Sequence, residues 1–320
     1  MKRWITTLLV TAAIAATTGS WAWTDRPVKL IVPAPAGGSS DVVARLLAQQ
    51  LSADIKQPVI VDNKAGAGGV IGIQALLQAP PDGQTLMVTP SNVLAEIPHV
   101  MKTPYDPLKD VRPVAALARS GLVLVSAPMP GINDFKSLLG VLKSRQGKAS
   151  FASYSAGTLS HYAGLILGQK AGLDLQHVPF PGSPPALTQV MGGQIDVMFD
   201  GIATSLPFIK TGKLTAYGFT GKQRSSYLPD VPTMTELGYP DIQFTGWVGV
   251  IASSALPSDL GNKINAAVRK AASSAAFKER LQALGLEPDV NVSSAQLSEE
   301  LKEASNRNAA VVKQFNIKLN

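Results

Sequence analysis

Between the apolar run Val28 to Val32 and the amphipathic stretch Val42 to Leu51 lies the turn Pro33-Ala-Pro-Ala36-Gly37-Gly38-Ser39-Ser40-Asp41, whose residue types suit the capture of an anion. The first N–H groups of the helix that follows have no partner within it, and its aligned peptide dipoles add partial positive charge there. Gly37 and Gly38, beside Ala36, let this backbone approach a ligand closely, while Ser39 and Ser40 offer an N-cap and further hydroxyl donors. A weaker echo occurs at Ser155-Ala156-Gly157-Thr158-Leu159-Ser160-His161, again between a strand and a helix. Ser155, Gly157, Thr158 and His161 are therefore expected to supply donors from a second lobe, with both helix starts aimed into one cleft. His161 has an alternative role, satisfying a neighbouring carbonyl.

Other residues are candidates for the same cleft. Ser91 and Asn92 follow a strand ending at Thr89 and either face the ligand or cap the next segment. Asp200 closes another strand and is expected to meet a ligand amine or hydroxyl, whereas Asp196 reads as a local turn partner. Ser155 or Ser160, His161 and Asp200 also supply the residue types of a hydrolase triad. No Gly-x-Ser-x-Gly elbow accompanies them, and hydroxyls beside a helix start more often cap it, so no catalytic residue is assigned. Three well-separated histidines and no cysteine leave no expected metal site, cofactor, thiol nucleophile or disulfide frame.

The elements that must hold these residues are legible as an alternation. Strands are expected near 28–32, 58–61, 85–89, 122–126, 149–152, 195–199 and 214–219. Helices are expected near 40–53, 69–78, 134–144, 158–171, 183–192 and 205–211, an order that implies parallel sheets covered by helices. Pro80-Pro81-Asp82-Gly83 marks a turn, and Thr233 with Glu236 marks a capping box at a helix start. The last third reads as helices over 258–273, 275–284 and 294–315. Trp247 sits where the chain should return from the second lobe, and reads as a core aromatic beside that crossover or as part of the cleft wall.

Lys2 and Arg3, the apolar stretch Trp4 to Ala16 and the pattern Ser20-Trp21-Ala22 read as an export signal over residues 1–22, which places the mature protein in the periplasm. Its removal takes two cations from a formal charge of +7, leaving a mild excess that can steer anions inward. Nucleic acid is not an expected partner, because the cations are spread and no more than two stand side by side. Roughly 300 residues remain, more than one core usually serves, so two lobes are expected.

These residues resemble a known family. Trp23-Thr-Asp-Arg-Pro27 with the strand and turn that follow, Gln57-Pro-Val-Ile-Val-Asp-Asn63, Gly66-Ala-Gly-Gly-Val-Ile-Gly72, Tyr105-Asp-Pro107, Gly192-Gly-Gln-Ile-Asp196, Ile209-Lys-Thr-Gly-Lys-Leu214, Arg224 and Leu228-Pro-Asp-Val-Pro-Thr233 are similar to the substrate-binding proteins of tripartite tricarboxylate transporters, the Bug proteins. The resemblance implies an α/β, two-lobed periplasmic binding protein fold of type II-like form. The ligand cleft then lies between lobe one (23–122 plus 247–320) and lobe two (123–246), joined by a hinge. It implies a monomer that captures a small carboxylate without catalysis and delivers it to membrane permease subunits. An exported enzyme acting on a carboxylate, and a ligand-sensing partner of a membrane receptor, are the rival readings. In one place the chain departs: it has Val178-Pro-Phe-Pro-Gly182 where the family often has Val-Pro-Tyr-Lys-Gly. Losing a hydroxyl and a positive charge there implies a more apolar pocket wall and argues against a highly charged tricarboxylate.

Overall fold

The computed structural model describes residues 23–145 and 147–317; the stretch read as an export signal, 1–22, lies outside the described residues. The chain opens with β1 (Val28–Val32), α1 (Ser39–Ile55), β2 (Val59–Asn63), α2 (Val70–Gln78) and β3 (Thr85–Pro90), and β1 pairs in parallel with both β2 and β3. Two short helices, α3 (Asn92–Ala95) and α4 (Ile97–Val100), then lead to the long strand β4 (Val111–Ser126). A second parallel unit follows: α5 (Phe135–Ser144), β5 (Ala149–Ser153), α6 (Leu159–Ala171), β6 (Leu175–Pro179), α7 (Ser183–Met191), β7 (Val197–Gly201), α8 (Ile202–Lys210) and β8 (Thr215–Phe219). The chain returns through β9 (Thr245–Ser253) and ends with α9 (Ser258–Ala272), α10 (Ala275–Ala283), the two-residue β10 (Glu287–Pro288) and α11 (Ser294–Phe315).

The sheets are mixed rather than wholly parallel. β9 runs antiparallel to both β3 and β4, and β4 runs antiparallel to β7 and β8. Up to Gly121, β4 pairs with β9; from Leu122 onward it pairs with β7, so one strand serves both sheets. A chain that leaves one sheet for another and returns must traverse the junction in opposite directions, which an alternation rule for single sheets does not anticipate. Thr220 ties the junction: its amide donates to Leu122 O, its hydroxyl accepts the Leu122 amide at 2.8 Å and donates to Phe244 O at 2.7 Å.

Each sheet is covered on both faces, which explains why its strands read as unbroken apolar runs. Successive strand residues point to opposite sides. Leu30 packs with Leu47, Ile264 and Phe277 of α1, α9 and α10, while the adjacent Ile31 packs with Ile73, Met87 and Leu301 on the other side. Trp247 is buried in that second group, as a core aromatic beside the crossover. In the second sheet, Phe151, Phe199 and Tyr162 form one core, and Leu187, Met198 and Leu206 the other. α11 belongs to both units: Leu297 and Leu301 join a core of the first sheet, whereas Val311 packs with Phe151 and Tyr162 of the second.

The capping box at Thr233 and Glu236 forms, with Thr233 N–H to Glu236 at 2.6 Å and Glu236 N–H to Thr233 Oγ1 at 3.1 Å. It closes a turn and not the expected helix, because Gly238 at φ 90° and Pro240 stop propagation within one turn.

Gly164 is where two elements come closest. A Cβ there would lie 2.1 Å from Phe151 Cε2, and the Phe151 ring is itself stacked on His177 at 4.8 Å, so it has little room to retreat. Gly164→Ala should therefore lower stability by about 1–3 kcal/mol despite the better helix propensity of alanine. A urea midpoint equal to that of the wild type would show that the ring moves freely.

Candidate functional site

The first turn is held open by a small ionic network. Asp41, buried in the first turn of α1, accepts the Gly37 N–H at 2.8 Å and the Arg45 Nε at 2.9 Å through Oδ2, and Asn63 Nδ2 at 2.9 Å through Oδ1. Asn63 also donates to Ala34 O at 3.0 Å, so strand β2 pins the turn that leaves β1. Burial opposes the charge on Asp41, but Arg45, the Gly37 amide and Asn63 outweigh it and hold the carboxyl below its usual range. Gly37 takes φ 82°, a left-handed conformation that favours glycine. The result is a helix start whose Ser39 and Ser40 amides and hydroxyls find no acceptor or donor among the described residues. Gly38, the N-cap, has no side chain to fill the space. Ala36 and Gly37 are exposed at the rim of the turn.

Around this turn the structure gathers two further segments. Gly66, Gly68 and Gly69 all have positive φ, and a Cβ on Gly69 would strike Val93 at 2.6 Å and meet Pro33 at 3.4 Å. This glycine run carried only family resemblance in the sequence; its repeated glycines before an apolar helix were the signal that a close backbone approach was required. Ser91 is bound into the junction, its amide donating to Trp247 O at 2.8 Å and its hydroxyl accepting the Trp247 N–H at 3.3 Å. Asn92 begins α3, and its buried Oδ1 has no partner among the described residues.

The second helix start is arranged differently, because the protein spends its donors internally. Gly157 N–H donates to His161 Nδ1 at 3.1 Å, and Leu159 N–H donates to Glu96 Oε2 at 2.6 Å. Thr158 Oγ1 donates to Ser155 O at 2.7 Å, Ser160 Oγ to Phe199 O at 2.5 Å, and the Ser155 hydroxyl reaches only the neighbouring Ala156 O. Gly157 also abuts the first unit: a Cβ there would lie 2.5 Å from Val100. Asp200 is fully buried and accepts hydroxyls from Ser183, Thr204 and Ser205, the latter two at 2.5 and 2.7 Å, so its oxygens serve the starts of α7 and α8. The triad residue types are thus in hand but not in relay: Ser160 serves a carbonyl, His161 an amide and Asp200 three hydroxyls. Asp196 accepts the Ser150 amide at 2.8 Å and pairs with Arg145.

His161 and His177 stack ring on ring, with centroids 3.7 Å apart and planes 12° apart. Burial keeps both neutral, His161 down to about 3 with His177 adding to the effect, and His177 down to about 4. Accepting at Nδ1 leaves the His161 proton on Nε2. Glu96, a lone acid in the apolar run Val93 to Ile97, is 1% exposed; burial raises its carboxyl to about 8 against the lowering effects of the Leu159 amide and Arg307, with Tyr154 and Tyr162 also facing it. That isolated acid was the sequence signal for a buried role, and it was missed.

A cavity of about 410 Å³ lies elsewhere, at the strand junction, lined among others by Arg119, Phe219, Arg224, Thr245 and Glu300. None of the expected ligand residues borders it. Its arginines are committed, Arg119 to Asp289 and, through both terminal nitrogens at 2.9 Å, to Glu300, and Arg224 to Glu236. The start of α1, with its free donors, is the better candidate site.

Comparisons with known proteins bear on the family and the fold. A family model described as the tripartite tricarboxylate transporter family receptor matches residues 43–317. Protein BugT of Bordetella pertussis is 34% identical over 285 residues, covering 88% of this chain and 86% of its own. MatC of Rhodopseudomonas palustris, solved with bound malate, superposes with a TM-score of 0.80 at 31% identity, over 90% of this chain and 99% of its own. The R. palustris protein Rpa4515, solved with adipate, gives 0.85 at 26% identity, over 92% and 99%.

The buried groups make stability respond to pH in opposite senses. Between the ordinary histidine value of 6.5 and about 3, the unfolded chain takes up protons that native His161 refuses. That contribution is therefore full above pH 6.5 and is lost as pH falls through the window. Native Glu96 instead holds a proton that the unfolded chain releases between 4.5 and about 8, so its contribution is full below 4.5 and lost as pH rises. The melting temperature of a Glu96→Gln protein should gain on that of the wild type from about pH 5 to pH 8 by calorimetry; parallel profiles would place the Glu96 carboxyl at its ordinary value.

Proposed function

The chain belongs to the tripartite tricarboxylate transporter receptor family, and on that premise we propose that it captures a small carboxylate in the periplasm at the start of α1 and passes it, chemically unaltered, to membrane permease subunits. The observation that carries this reading is the open helix start: Ser39 and Ser40 present amides and hydroxyls with no partner among the described residues, on a turn braced by Asp41, Arg45 and Asn63. A carboxylate completes such a start by accepting the amides and lying at the positive end of the helix dipole. Malate and adipate, bound to MatC and Rpa4515, belong to the same chemical class. No helix among the described residues is long and apolar enough to cross a membrane, in keeping with delivery to separate membrane subunits.

The cleft divides lobe one, residues 23–122 with 247–320, from lobe two, residues 123–246, and the ligand site comprises Ala36 to Ser40, Ser91, Asn92, Ser155, Gly157, Thr158 and His161. The strand switch in β4 at Gly121 and Leu122 is the natural hinge. Because α11 packs into cores of both sheets, it forms a third connection, so closure is a small rotation about β4 and β9 and not a wide opening.

Gly38 has φ −71° and ψ 162°, ordinary extended backbone, and a Cβ there meets Pro35 O at 3.3 Å, so a side chain fits once the turn gives by a few tenths of an ångström, and circular dichroism should first establish that the variant is folded. Gly38→Asp places a carboxylate where the ligand's belongs and should weaken carboxylate binding at least tenfold in calorimetry, the cost of a charge-assisted hydrogen bond being about 1.5–3 kcal/mol. Undiminished affinity in the folded variant would remove this turn from the site. Carboxylate incubated with the wild type for hours should be recovered unchanged by NMR; a product lost in a His161→Ala variant would make the protein an enzyme.

A further inference from the structure

The two sides of the cleft differ in what they leave for a ligand. On α1 the amides and hydroxyls of Ser39 and Ser40 are unpartnered among the described residues, and the one nearby carboxylate, Asp41, is neutralised by Arg45 at 2.9 Å. On the second side the protein has already seated carboxyl groups of its own. Glu96 reaches across from the segment between α3 and α4 and takes the Leu159 N–H at the start of α6, at 2.6 Å. Asp200 takes the hydroxyls of Ser183, Thr204 and Ser205 at the starts of α7 and α8. Both carboxyls are essentially inaccessible, 1% and 0% exposed. Pro184 and Pro185 have no N–H, which removes two more donors from the start of α7. The Gly157 amide is spent on His161, whose remaining N–H belongs to a neutral ring and offers a dipole without a charge.

The few free N–H groups of a helix start can each be spent once, and a ligand carboxylate brought to a start whose donor already serves a protein carboxyl must displace that carboxyl or remain unpaired, which is costly where water is excluded. We propose that Glu96 is a built-in occupant of the α6 start and thereby a specificity-determining residue, restricting this protein to carboxylates that bear one ionised group, held by α1, and an uncharged remainder facing the second side. The inference rests on carboxylate capture at α1 and adds the substrate class. It sets this chain apart from the two relatives solved with malate and adipate, each of which carries two carboxyl groups.

The test measures affinities of the full-length mature protein for straight-chain monocarboxylates and dicarboxylates of four to eight carbons by calorimetry, in three forms: wild type, Glu96→Ala and Glu96→Gln. The wild type should prefer the monocarboxylate of each pair by at least tenfold. Glu96→Gln keeps an oxygen to accept the Leu159 N–H and should retain that preference, whereas Glu96→Ala frees the start of α6 and should narrow or reverse it for at least one chain length. A wild type that binds dicarboxylates as well as monocarboxylates overturns the proposal even if the alanine variant fails to fold, and so does a preference that Glu96→Ala leaves intact; carboxylate capture survives both results. If no member of the series binds the wild type, both the capture reading and this one fall.

Discussion

Every α-helix begins with amide N–H groups that its own carbonyls cannot reach, and much of this protein's organisation follows from what satisfies them. The parallel strands β1 and β3 of one sheet and β5 and β7 of the other end toward one junction, so the helices that follow them start on that side. At α6, α7 and α8 the answer is internal: Glu96, Asp200 and the hydroxyls around them. At α1 the answer is partial, because Asp41 folds back onto Gly37 and Arg45 and leaves Ser39 and Ser40 unspent. An incomplete helix start takes its missing acceptor from outside the helix, from water or from a ligand, and the proposed site rests on the second of these.

The same junction sets how the two sheets are connected. One strand, β4, changes partners between Gly121 and Leu122, and β9 returns beside it, so the two sheets are joined over a few residues. Thr220 bonds across this point to both Leu122 and Phe244, and α11 lies along both units. The segment carrying Glu96 is bound to α11 as well, through Asn308 to Ala95 O at 2.9 Å and Ser305 to His99 at 2.7 Å. The carboxyl at the start of α6 is thus held by a segment bound to an element that packs on both sheets, not by a loose loop.

Much of the site was readable because local rules governed it. The strand, turn and helix around Gly37 and Gly38 follow from residue type, and the i, i+4 spacing of Asp41 and Arg45 is a helical neighbour pair. His161 lies at a helix start, as its sequence context implies, but its neutrality is not readable there: it comes first from burial and then from His177, a residue of a different strand stacked 3.7 Å away. Asp200 was read as a ligand contact from its place at a strand end. Its three hydroxyl partners come from two helices, and only their convergence shows that its oxygens are occupied. Glu96 was overlooked because nothing within one turn of it predicts a bond to Leu159, 63 positions away.

By itself the sequence determined the order of elements, the anion-competent turn, the absence of thiol chemistry and the family resemblance, all properties carried by short windows or by residue type. The tertiary structure alone decided which helix starts are open and which are filled. Satisfaction of a donor is a pairwise property in space, and the acceptors that fill these starts, Glu96 and Asp200, arrive from other elements. It also decided that the sheets are mixed and that α11 belongs to both, because strand direction and helix contacts depend on how the two units meet, and no window of neighbouring residues contains that meeting.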